Sequence, residues 1–159
     1  MLNVFRMFAK MGGRRLAAES SGAMALEDIV RRGVREQPDL AALASLDGKK
    51  LSVLVWHYHD DDVSGPEANV ELKLTSLPLA KGEARLEHFR IDENHSNAFA
   101  EWKRIGSPQS PTPKQYAQLE KLGRLAPMGE AKTIQIANAG ATLKINLPRQ
   151  AVSLLQVTW

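Results

Sequence analysis

Residues 40–46 and 49–59 are two apolar runs that meet at Asp47-Gly48, and this pairing constrains the fold more than any other feature of the chain. An Asp-Gly between hydrophobic runs is a strong hairpin signal, because glycine supplies the positive φ that a tight turn requires. Further along, Val70, Leu72 and Leu74 alternate with Glu71, Lys73 and Thr75, the pattern of a half-buried strand. Residues 84–91, 133–137, 142–147 and 151–159 read as further strands, punctuated by Gly, Asn and Pro. Seven or eight short antiparallel strands with such turns predict a mainly β chain folded as a β-sandwich.

Helices interrupt this pattern in three places. Leu2, Phe5, Phe8 and Met11 recur at helical spacing before Gly12-Gly13, which predicts one strongly apolar N-terminal helix. A helix of about ten residues is marginal alone in water, so it needs a surface to pack on. In "ALEDIVRRG", Leu26, Ile29 and Val30 share one side, which fits a short helix or a structured loop. "HSNAFAEWKRIGS" reads as a helix capped by Ser96 with Phe99 and Trp102 on one face. After the loop "SPQSPTP", Thr112, Pro113 and Gln115 form a capping box with proline at the first helical position. Tyr116, Leu119 and Leu122 are then its expected buried stripe. The chain thus divides into an N-terminal helix, 1–12, and a sandwich, 13–159, with two short helices inserted at about 95–125.

At 159 residues the chain suffices for one domain with a substantial core. Its 43% hydrophobic and 25% charged residues fit an ordinary globular protein. Having no cysteine, it excludes disulfides, thiolate metal sites and cysteine nucleophiles. The net charge of +3 comes from basic residues spread along the chain, without the dense patch of a nucleic-acid footprint. No apolar run approaches the roughly 20 residues of a membrane helix. The start, "MLNVFRMFAKMGG", is a poor signal peptide and favours a cytoplasmic location.

The densest chemistry is "WHYHDDD" at 56–62. In a strand, His57 and His59 would share a face about 7 Å apart, and with Asp60, Asp61 and Asp62 they could ligate zinc or manganese. The plainer reading is a strand end running into an acidic turn. It is preferred, and no metal or cofactor is assigned. Trp56 and Tyr58, beside this loop, are candidates for stacking on a sugar. Trp102 and Trp159 are better explained as core. His95 precedes a helix among capping residue types, and His88 lies in an apolar strand at a core edge. The motifs of P-loops, dinucleotide folds, serine hydrolases and zinc proteases are all lacking. No pair of carboxylates is placed by spacing to flank one glycosidic bond.

Five segments carry a resemblance: "NVFRMFAKMGG", "ESSGA", "VLVWHYHDDD", "RIDENHSNAFAEWKRIGSPQSPTPKQYAQLEKLGRL" and "LPRQAVSLLQVTW". Together they resemble the C-terminal portion of glycoside hydrolase family 39 β-xylosidases. The resemblance implies retaining glycosidases in which a (β/α)8 barrel bearing two catalytic glutamates is followed by a β-sandwich. A barrel needs about 250 residues, so none fits here, and no catalytic residue transfers to this sequence. The expected role is an accessory sandwich, inactive alone, with the loop at 57, 59 and 60–62 near the cleft. Leu2, Phe5, Phe8 and Met11 would then face the barrel in cis, or a second copy. The alternatives are a free-standing carbohydrate-binding module that takes xylo-oligosaccharides on Trp56 or Tyr58, and a metal-dependent hydrolase using His57 and His59.

Overall fold

The computed structural model describes residues 2–61 and 63–159. Eight strands occur among them: β1 (Arg14–Leu16), β2 (Asp39–Asp47), β3 (Lys50–Tyr58), β4 (Ala68–Leu74), β5 (Gly82–Ile91), β6 (Lys132–Ile136), β7 (Ala141–Leu147) and β8 (Val152–Thr158). Four helices accompany them: α1 (Leu2–Lys10), α2 (Leu26–Arg32), α3 (Ala98–Arg104) and α4 (Pro113–Leu122). One sheet runs β1-β2-β3-β8-β5-β6 and the other pairs β4 with β7, antiparallel throughout. This is a β-sandwich with a late helical insertion.

The β2–β3 hairpin closes with Asp47 opposite Lys50, and Gly48 sits at φ +57° in the turn. In β4 and β7 alternate residues are solvated, as expected of a sheet with one wet face. Their inward residues meet Val53, Val55, Leu155 and Val157 in the main core. β3 and β8 differ, because Leu51–Val55 and Ser153–Val157 are buried without a break. Their second face is covered by α1, where Met7, fully buried, joins Leu54, Phe89 and Leu154 in a smaller core. Polar groups beneath α1 are satisfied: Gln156 donates to the Lys10 carbonyl and to Ser52 Oγ, both at 3.0 Å. Gly13 must be glycine, since at φ +73° a Cβ would lie 2.0 Å from the Leu46 carbonyl oxygen.

Several expectations need correction. α3 is capped by Asn97, whose Oδ1 accepts from the Phe99 and Ala100 amides at 3.1 Å, and not by Ser96. α4 has its capping box but buries no residue: Tyr116 is 65% and Leu122 42% exposed. Trp102 is half-buried and stacks on an exposed Phe99 at 5.7 Å instead of entering the core. The helical form of "ALEDIVRRG" is α2, yet Leu26 and Val30 face solvent. In α1 the buried residues are Asn3 and Met7, and Met11 just after the helix is partly buried against the same core, while Leu2, Phe5 and Phe8 stay exposed. Met11 therefore leaves the proposed partner-facing set. Trp159 packs against the main core.

Candidate functional site

Alternation along β3 sends Val53, Val55 and His57 toward the main core and Leu54, Trp56 and Tyr58 toward α1. An apolar groove of about 350 Å³ opens there, lined by Val4 and Phe8 of α1, Leu54, Trp56 and Tyr58 of β3, and Val152 of β8. Leu2 and Phe5 of α1, which do not line the groove, are 62% and 64% exposed.

The groove's aromatic rings are held by their polar edges. Trp56 Nε1 donates to Asp39 Oδ2 at 2.7 Å, and the Tyr58 hydroxyl donates to Asp60 Oδ1 at 3.0 Å. Asp60 also accepts from the Val34 amide at 2.9 Å, and Arg35 lies 3.7 Å away. The Val34 amide, the Tyr58 hydroxyl and Arg35 together hold the Asp60 carboxyl below its ordinary value. The same bond to Asp60 pushes the Tyr58 hydroxyl up. Because these polar atoms are engaged, the rings offer the groove mainly their apolar surfaces. Such a surface suits an inserted apolar side chain better than a sugar, which needs converging polar groups.

The loop after Tyr58 is a knot of backbone hydrogen bonds. His57 is 3% exposed, and its Nδ1 donates to the Leu147 carbonyl at 3.0 Å. His59 is 4% exposed, donates from Nε2 to the Arg35 carbonyl at 2.8 Å and accepts at Nδ1 from the Asp61 amide at 3.1 Å. Gln150 clasps the other side, donating to the carbonyls of His59 at 2.6 Å and Asp61 at 3.1 Å. The two imidazoles thus serve different segments instead of converging. Among the described residues no group of three or more His, Asp or Glu side chains could hold a metal ion. Asp61 is exposed at the loop surface, and Asp62 lies outside the described residues.

The remaining histidines lie within β5 and in the turn that follows it. His88 Nε2 is hydrogen-bonded to Ser153 Oγ at 2.9 Å, and Arg90 Nε donates to that same hydroxyl at 3.1 Å. Burial, then the charges of Arg90, Lys132 and His95, lower the His88 pKa to about 4. Ser153 is fully buried, so this pair is structural and offers no nucleophile. His95 Nδ1 meets Asp92 Oδ1 at 2.8 Å, and that oxygen also accepts the Asn94 and His95 amides. Asp92, not His95, is the capping group of this turn.

Sequence reading missed Asn3, Asp39 and Gln150. The one available signal was Asn3 itself, an uncharged polar residue four positions before Met7 in the helix. Gln150, at φ +64°, follows Pro148-Arg149 and carries no local mark of its contacts with residues some ninety positions away.

No curated protein matches the chain. Solved structures do. The family 39 enzyme from Xanthomonas axonopodis pv. citri superposes with a TM-score of 0.70 at 16% identity, covering 98% of this chain and 29% of its own. A monomeric β-xylosidase from Caulobacter crescentus CB15 gives 0.68 at 18% identity, covering 98% and 30%. A bacterial orthologue of human α-L-iduronidase gives 0.62 at 22% identity, covering 75% and 22%. The chain therefore spans less than a third of the length of these relatives. The model for the glycosyl hydrolases of family 39 matches residues 1–139, and the chain belongs to that family.

Proposed function

We propose that this chain is the accessory, non-catalytic β-sandwich of a retaining glycosidase of the β-xylosidase kind, acting in the breakdown of xylan and xylo-oligosaccharides. The observation that carries this reading is the coverage: nearly the whole chain aligns with under a third of each larger enzyme. The partner is the catalytic (β/α)8 barrel in cis. Leu2, Phe5 and Phe8, together with the groove holding Trp56 and Tyr58, form the contact. An apolar surface of this kind fits a protein partner, and α1 is seated beneath it by Met7 packing with Leu54, Phe89 and Leu154. In this setting the loop at His57, His59, Asp60 and Asp61 is a brace that spans the two sheets near the barrel's edge.

The test is the size of the native polypeptide, read by immunoblot of source-cell extract with an antibody to this domain. The expected band exceeds 17.5 kDa by about a barrel, roughly 250 residues or more. A band at 17.5 kDa would overturn the reading and turn attention to sugar binding at Trp56 and Tyr58.

A further inference from the structure

The buried face of α1 carries one polar side chain. Asn3 is 7% exposed, and its Nδ2 donates to two carbonyl oxygens, Ser96 at 2.6 Å and Gly123 at 2.8 Å. Arg6 donates to Asn3 Oδ1 at 2.8 Å, which sets which way the amide is turned. The two acceptors stand at the two ends of the helical insertion. Ser96 directly precedes the Asn97 cap of α3, and Gly123 is the C-cap of α4. A single amide on the N-terminal helix therefore ties the entry of the insertion to its exit.

Little else of α4 is anchored. It buries no residue, and it meets α3 through Gln118 Nε2 donating to Glu101 Oε1 at 2.5 Å. At the neck, Ser96 Oγ accepts the Ala126 amide at 3.3 Å, a long bond. α3 buries Ala100 and Glu101 and α4 buries nothing, so the pair is anchored thinly enough to open locally.

We propose that Asn3 is a latch coupling α1 to the helical insertion, so that the helix offered to the partner also sets the pose of α3 and α4. The latch follows from geometry in this chain; its link to a barrel rests on the accessory-domain reading. The Asn3 amide leaves two carbonyls without a partner when it is removed, and those carbonyls belong to the insertion. A shift of α1 on the sheet then reaches residues 96–123 through the Asn3 amide, beside the packing of Leu125 against the small core that holds Met7.

Hydrogen exchange of the 159-residue chain, followed by mass spectrometry, tests this without a barrel, so the result is independent of native polypeptide size. In Asn3→Ala, exchange in α3 and α4 should rise about tenfold while β3 and β8 stay protected. Asn3→Asp should raise it further, because a carboxylate oxygen would face two carbonyl oxygens. Arg6→Ala keeps the amide but frees its orientation, and a smaller rise confined to the same residues is expected. Unchanged protection in α3 and α4, or a loosening spread evenly over β3 and β8, overturns the latch. Should Asn3→Ala fail to fold, Arg6→Ala decides by the same two outcomes.

Discussion

His88 has Arg90 two residues away on its own strand and Lys132 on the neighbouring strand β6. Its pKa is lowered to about 4 from 6.5, so between those values the unfolded chain binds a proton that the folded chain refuses. Stability is therefore complete above pH 6.5 and falls as the pH drops toward 4. A full shift of this size corresponds to about 3 kcal/mol, and solvent screening of a partly exposed ring trims it to roughly 2 kcal/mol. Thermal unfolding across this range should show the Tm falling in the native chain. His88→Gln, which can still hydrogen-bond Ser153 but carries no proton that titrates, should flatten that slope; an unchanged slope would remove His88 as its source. The apolar strand around His88 made a core-edge position readable. The pairing with Ser153, 65 residues away, was not, because nothing local to either residue marks it.

α1 shows what periodicity conveys and what it leaves open. The helix and its stop at Gly12-Gly13 were readable from spacing, but the stripe of largest side chains is not the stripe that packs on the sheet. Met7 is fully buried while Phe5 is 64% exposed. In urea unfolding, Met7→Ala should cost about 2–4 kcal/mol through the lost contacts and the cavity. Phe5→Asp should change stability by only about 0.5 kcal/mol, as surface substitutions do. Equal losses in the two variants would mean that both faces of the helix are covered in solution. The same distinction explains α4. Its capping box at Thr112 and Gln115 is a local hydrogen-bond pattern and was legible. Its apolar stripe gave a direction without a surface for it to meet. The candidate groove fell between these cases: Trp56 and Tyr58 stood out beside the acidic loop, but Phe8 and Val152 reach the groove from distant segments.

The sandwich itself was legible at the scale of the whole molecule, since alternation in β4 and a tight turn after β2 are properties of short windows. The order of strands was not, because it depends on pairings across most of the chain. β8 follows every other strand in sequence yet lies between β3 and β5 in the middle of the larger sheet. Gln156 of β8 donates to Ser52 of β3, 104 residues away. Separations of this length slow folding, because loop-closure entropy must be met before the contacts form. A chain ended at Ala151 should lack the strand signal in far-ultraviolet circular dichroism and be cut quickly by protease; native-like protection in that truncated chain would show that β3 and β5 can close without β8. On the ribosome, the larger sheet cannot be completed until β8 has been translated and has emerged, because β3 and β5 meet only through it. A nonsense mutation just before β8 would therefore damage the domain as much as one far upstream of it.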